Sequence, residues 1–309
     1  MKIIYFGCDA FGIPSLEELK KKHNLVCVIT APDRPSGRGM KISSTPVKIW
    51  ATKNNIPVYQ PEDISESDFI KKLKELSPEF IVLISYGKIL PKEITEIPSL
   101  GAINVHPSLL PKYRGAAPME WALINGEKET GITVITIKDK VDTGEIIKQQ
   151  KVPIDEEDDI FSLKERLSRI APSLLLECLE DVKNGIQPQP QHGIPSYARR
   201  LKKEDGLIQW KKKSTEIYNL IRGIKEWPGA YTYLNGKYIK IYTAFPTLDQ
   251  KTGRPGEIVG IDHLCIYVAC GEGVIRIKEL QMEGKRRMSA SEFLNGHPLK
   301  IGATFSETR

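Results

Sequence analysis

Nowhere do the 309 residues run 18 apolar positions together, so no segment is able to cross a bilayer as a helix. Cysteine is scarce. The five present (Cys8, Cys27, Cys178, Cys265, Cys270) are odd in number and form no C-x-x-C pair, which argues for reduced core thiols over a disulfide or zinc framework. Cys8, just past the first strand pattern, admits two readings, an exposed reactive thiol or a packed small hydrophobe; packing is the commoner state of free cysteine. His23, His192, His263 and His297 are scattered without ligand spacing, and no metal site is expected. Gly7 and Gly12 suit a tight strand-to-helix turn but do not make G-x-G-x-x-G, and Gly37-x-Gly39 lacks the Walker sequence. Residues 2–7 read as a strand rather than a signal peptide, and the reduced thiols suit a cytoplasmic protein. Internal repeats and low-complexity tracts are missing as well.

Charge is unevenly placed. From Arg199 to Arg309 there are 20 Lys+Arg against 12 Asp+Glu, a net +8, whereas residues 1–198 hold 25 against 27. The whole surplus therefore belongs to the C-terminal part. An acidic polymer such as RNA fits that half, and a plain solvated surface fits it too.

The length suits two domains. Over the first 150 residues, short apolar runs rich in β-branched residues (Ile3–Phe6, Leu25–Thr30, Phe80–Ser85, Ala102–Val105, Gly131–Ile137) alternate with helical stretches near residues 13–22, 46–54, 69–76 and 117–125. Such alternation predicts a Rossmann-like, doubly wound α/β sheet with its sites at the strand C-terminal ends. A helix over 160–184 follows, ending near Gly185, with Pro172 expected to kink or split it. Gln187-Pro-Gln-Pro-Gln191 reads as a polar, proline-stiffened linker. After a helix at 214–224, five short strand patterns (230–234, 238–242, 256–261, 264–269, 273–279) suggest a small OB-like β-barrel. The expected division is 1–186, a linker at 187–204, and 205–309.

The residues with the most chemistry are Asn104, His106 and Asp142. Asn104 and His106 stand two apart at the end of a predicted strand, and Asp142-Thr143-Gly144 follows in a loop. His106 suits proton transfer near neutral pH, Asp142 its orientation, and Asn104 donation to an oxygen that gains charge in acyl transfer. By spacing alone, ordinary loop residues account for the same pattern. The surrounding stretch His106-Pro-Ser-Leu-Leu-Pro-Lys-Tyr-Arg-Gly-Ala-Ala-Pro118, then Gly126-Glu-Lys-Glu-Thr130 and Asp142-Thr-Gly-Glu-Ile146, resembles the signature of the folate-dependent formyltransferases. Lys203-Glu-Asp-Gly206, Asn219–Gly223, Trp227–Thr232 and Gly284–Ser289 look like landmarks of the same family, so the likeness runs nearly end to end.

The resemblance implies a catalytic set of Asn104, His106 and Asp142. It implies a 10-formyltetrahydrofolate site near Ser85, Tyr86, Gly87, Ile89 and Leu90 and along Ser108, Leu109, Leu110 and Pro111, although core packing is the other reading of those apolar side chains. No metal is implied. The Arg-Gly-Ala-Ala-Pro form points to members acting on methionyl initiator tRNA, with no obligatory protein partner. In the family the loop 31–41 enters the tRNA acceptor end. Here Arg34, Arg38 and Lys41 suit phosphate contact, with Lys211, Lys212 and Lys213 as the expected contacts on the barrel; a surface loop with incidental charge is the competing reading. Two segments depart from the family pattern, Gly7-Cys-Asp-Ala-Phe11 and Lys138-Asp-Lys-Val141, and Lys140 is a candidate for the folate glutamate tail. A formyltransferase or hydrolase acting on a small amine or on folate itself, and a non-catalytic RNA-binding protein, are the rival functions.

Overall fold

In the computed structural model, residues 1–36, 41–247 and 251–309 are described. Internal contacts divide the chain into two compact units. The first comprises Met1–Pro118, Glu129–Pro153 and Lys164–Arg199, and the second Met119–Lys128, Ile154–Leu163 and Arg200–Arg309.

The first unit is built on a seven-stranded sheet. In spatial order its strands are Ile146–Pro153, Glu129–Thr136, Gly101–His106, Phe80–Ile84, Lys2–Gly7, Asn24–Ile29 and Val58–Tyr59. The five from Gly101–His106 to Val58–Tyr59 pair in parallel, and the other two join antiparallel. Chain order reverses between Lys2–Gly7 and Phe80–Ile84, the kind of switch point beside whose strand C-terminal ends α/β sheets place their sites. These strands are apolar because both sheet faces are covered: Ile3, Ile4, Tyr5, Phe6, Phe80, Ile81 and Val82 are fully buried. Gly7 and Gly12 serve packing. A Cβ on Gly12 would lie 1.9 Å from the Tyr5 hydroxyl, and one on Gly7 would lie 2.6 Å from the Ile84 carbonyl. Four cysteines are buried, and burial pushes the Cys27, Cys178 and Cys270 thiols up to about 12. Cys8 is half-buried, with its Sγ between the Thr30 hydroxyl, the Ala31 N–H and the Tyr86 carbonyl.

One expectation changes. The helix Ile160–Lys183 is not split at Pro172, because Leu167, Ala171, Leu174 and Leu175 hold that stretch in the core on both sides of the proline. The stretch after Gly185 does not hang free: Gln189 bridges Ile146, and Tyr197–Ala198 pairs in parallel with Arg114–Gly115.

The second unit carries an antiparallel sheet in the order Ile258–Ile261, Ile266–Ala269, Val274–Met282, Lys237–Thr247, Ala230–Leu234 and Phe305–Ser306. Phe305 also donates its N–H to the Gly256 carbonyl, and Thr304 bridges Glu257, so the sheet curls back onto its first edge as an OB-like barrel. The helix Ser214–Gly223 packs close to Pro118–Ile124 through Gly223, where a Cβ would lie 3.1 Å from the Glu120 carbonyl. Arg222, 5% exposed, is held by the carbonyls of Asp155, Glu156 and Asp158 and by the Asn219 amide oxygen.

Candidate active site

Asn104 and His106 share one face of the strand Gly101–His106, because side chains two apart on a strand point the same way. They lie at its C-terminal end, 9% and 4% exposed. Asp142 meets them from the loop after Glu129–Thr136. Its Oδ1 accepts from Asn104 Nδ2 at 3.1 Å, and its Oδ2 lies 3.4 Å from His106 Nδ1 and accepts the Gly115 N–H at 2.8 Å. The three residues expected to work together are therefore in contact.

His106 Nε2 lies 2.9 Å from the Tyr113 carbonyl, which only accepts, so Nε2 carries a proton. That leaves Nδ1 toward the Asp142 carboxylate. The carboxylate's nearest donors are the Gly115 N–H and Asn104 Nδ2, and the His106 ring stands just beyond them. Asn104 has one amide hydrogen on Asp142 and a second for another acceptor.

The turn Ser108–Pro111 is tied from beneath. Thr133 Oγ1 donates to the Ser108 carbonyl at 2.6 Å and accepts the Leu110 N–H at 3.1 Å. Gln149 Nε2 donates to the Leu110 carbonyl at 2.7 Å, and Ser108 Oγ donates to the Lys112 carbonyl at 2.7 Å. Leu110 is buried and Leu109 half-buried. In the second segment, Ser85 and Gly87 adopt positive φ (51° and 81°) and are exposed. Tyr86 and Leu90 belong to the core around Phe6, whose ring meets Tyr86 edge-on at 5.2 Å, whereas Ile89 is 63% exposed. Only Ile89 among these apolar side chains is offered outward; Tyr86 and Leu90 are chiefly packing.

Of the basic residues, Arg34 is exposed and pairs with Glu62 at 3.2 Å. Arg38 lies outside the described residues. Lys41 stands on a short strand, Lys41–Ser43, that pairs with Arg34–Ser36. Lys211, Lys212 and Lys213 are exposed, but Lys213 binds Glu272 at 2.7 Å, and that carboxylate raises its pKa. Lys140 is exposed.

Sequence reasoning missed Gln191. Its Nε2 donates to the carbonyls of Asp142 and Gly144, both at 2.8 Å, and its Oε1 accepts from Arg114 Nε and Nη2 at 3.2 and 2.7 Å. Thr133 and Gln149 were missed as well. These contacts span up to 77 positions, and no local pattern marks them. Among the described residues no group of three or more His, Cys, Asp or Glu is arranged to hold a metal, and no helix is long and apolar enough to cross a membrane.

Comparison with known proteins bears on both units. Residues 1–179 match the family model described as formyl transferase, and residues 200–298 match its C-terminal domain. The methionyl-tRNA formyltransferase of Pelotomaculum thermopropionicum is 46% identical over 99% of each chain, and that of Syntrophus aciditrophicus 43% over 98% of each. Among solved structures, a methionyl-tRNA formyltransferase from Clostridium thermocellum superposes with TM-score 0.58 at 20% identity, over 82% of this chain and 95% of that one. An N-formyltransferase from Helicobacter canadensis gives 0.66 at 22%, over 90% and 98%. At those identities the two structures speak for the fold. With both family models matched and relatives more than 40% identical along nearly its whole length, the chain belongs to the methionyl-tRNA formyltransferases, within the formyl transferase family.

Proposed function

We propose that the chain transfers the formyl group of 10-formyltetrahydrofolate to the α-amine of methionine esterified to initiator tRNA, in the cytoplasm, for translation initiation. The observation that carries this reading is the end-to-end identity to methionyl-tRNA formyltransferases, combined with the contact of Asn104, His106 and Asp142.

The chemistry follows from that contact. The free amine attacks the formyl carbon; a C–N bond forms and the carbonyl oxygen becomes an alkoxide. The second Asn104 amide hydrogen donates to that oxygen and the charge of a protonated His106 ring, held by Asp142, offsets it, while Asp142 takes up the amine proton. The intermediate collapses by breaking the bond from carbon to N10, which receives the proton from Asp142 as tetrahydrofolate leaves. Oxyanion donors of this kind contribute about 10²–10³-fold.

The folate lies along Ser108–Pro111 and Ser85–Leu90. Leu110 has its N–H and C=O engaged by Thr133 and Gln149, so the turn is preorganised and offers chiefly apolar surface. Ile89 supplies the exposed apolar contact, and main-chain groups of the positive-φ turn at Ser85 and Gly87 read the pteridine edge. Catalysis belongs to residues 1–186 and tRNA binding chiefly to 205–309, joined through 187–204, with Arg34, Arg38 and Lys41 reaching the acceptor end and Lys211, Lys212 and Lys213 the barrel side. No metal enters the reaction.

The test is transfer of labelled formyl from 10-formyltetrahydrofolate onto methionyl initiator tRNA, beside free methionine and elongator tRNA. Product on the initiator alone is expected. Product on a small amine and none on any tRNA would replace the reading with a small-amine formyltransferase.

A further inference from the structure

Asp142 has φ +53°, a left-handed conformation that a residue with a side chain keeps only where its surroundings impose it. Its carboxylate is held by Asn104 and Gly115, and its main chain is held by one side chain from far along the sequence. The Gln191 amide has two donor hydrogens and two acceptor lone pairs. The hydrogens go to the carbonyls of Asp142 and Gly144, and the lone pairs go to the guanidinium fork of Arg114. Arg114 precedes Gly115, whose N–H is fixed on Asp142 Oδ2 at 2.8 Å.

Gln191 thus ties together the backbone carrying the carboxylate and the backbone donating to it. Its segment is itself anchored: Ser196 accepts the Arg114 N–H at 2.9 Å through its carbonyl and the Tyr113 N–H at 2.9 Å through its hydroxyl, and Tyr113 is the residue whose carbonyl holds His106. The strap lies between the stretches matched by the two family models, which end at 179 and begin at 200.

We propose that Gln191, braced by Arg114, is a positioning residue that sets Asp142 against His106, and that the strap 187–199 is part of the catalytic apparatus rather than a tether. The proposal rests on the formyl-transfer reading for its kinetic consequence but not for its structural one. A glutamate at 191 keeps the acceptors for Arg114 but puts an oxygen against two carbonyls, and a leucine removes both sets of bonds.

The experiment compares the full-length wild type with Gln191→Glu, Gln191→Leu and Arg114→Lys, reading kcat and KM for folate and tRNA, the pH–kcat profile, and hydrogen exchange at the Gly115 amide. In the Gln191 variants kcat is expected to fall about 10- to 100-fold, as when a group supporting an active-site residue is lost. Both KM values should stay within about twofold, the pH–kcat profile should change shape, and Gly115 exchange should rise about tenfold while amides of Glu129–Thr136 keep their protection. Arg114→Lys, which lacks the fork, should show a smaller loss of the same kind. Wild-type kcat in folded Gln191→Leu overturns the proposal, as does a fall in kcat with Gly115 protection unchanged. Protection lost evenly across the sheet, or a loss confined to KM, overturns it too. A wild type that fails to transfer formyl removes the function proposed above, and Gly115 exchange in Gln191→Leu then decides the clamp by itself.

Discussion

The two units treat their polar side chains in opposite ways. In the first, Asn104, His106, Ser108 and Thr133 are buried and locked to one another or to main chain over short distances. In the second, the positive surplus lies largely on exposed side chains such as Lys211, Lys212 and Lys278, and the buried Arg222 is committed to carbonyls of its own unit. Stabilising a fleeting oxyanion needs donors fixed in place beforehand, because any reorganisation adds to the barrier. Holding a long polyanion needs many weak, exposed contacts whose strength comes from releasing counterions. Substitutions in the first unit should therefore act on turnover, and those on the surface of the second on salt-dependent affinity.

The largest effect should come from breaking the buried set. His106→Ala and Asn104→Ala are each expected to lower kcat by about 10²–10⁴-fold, with melting temperature little changed, in the labelled-formyl assay. Near-normal turnover in either folded variant would end the catalytic assignment. Next, Arg222→Met should expose the commitment of the second unit's buried cation. It leaves carbonyls of Asp155, Glu156 and Asp158 without their donor and should cost about 2–4 kcal/mol in chemical denaturation, with little effect on the chemical step in molecules that remain folded.

A sharper test of the contrast is Lys211→Ala with Lys212→Ala. If both lysines meet phosphates, the slope of log affinity against log salt should fall by about 1 per lysine, with kcat at saturating tRNA unchanged. An unaltered slope would move the RNA surface elsewhere. The smallest effect concerns Asp33, whose carboxyl is held below the usual carboxylate range, first by Lys48, 2.5 Å away, and then by Gln60. A depressed folded pKa gives stability that is present above the unfolded value of about 3.9 and is lost as pH falls through the folded one. Asp33→Asn should therefore lower the melting temperature slightly at pH 7, and the difference should shrink as pH falls below the unfolded value and close once the folded carboxyl is protonated. A difference that persists in acid would mean that Asp33 acts by shape rather than charge.

Much of this organisation is legible in the amino-acid order, and the gaps have physical causes. Buried parallel strands such as Phe80–Ile84 announce themselves as apolar β-branched runs. The strand Ile146–Pro153 does not, because it is an edge strand whose middle (Lys148, Gln149, Gln150, Lys151) faces water or other polar groups. Asn104 and His106 are readable as a pair because period two puts them on one face. Asp142 joins them only through tertiary structure, so its place rests on the family resemblance. Gln191 was invisible for a related reason: a glutamine among prolines has the composition of a linker, and its partners lie 47 to 77 residues away.

The strap has a second consequence, for solubility. Ile146–Pro153 closes one side of a seven-stranded sheet, and a bare sheet edge is a template on which another chain can pair. Gln189 occupies the start of that edge through two backbone bonds to Ile146, at 2.7 and 2.8 Å, Pro153 ends it without a donor, and Lys148 and Lys151 stand charged between them. The segment that steadies Asp142 thus also blunts the sheet's open margin, and a cut within 187–199 would release both restraints together, leaving a slower enzyme that is also more prone to aggregate.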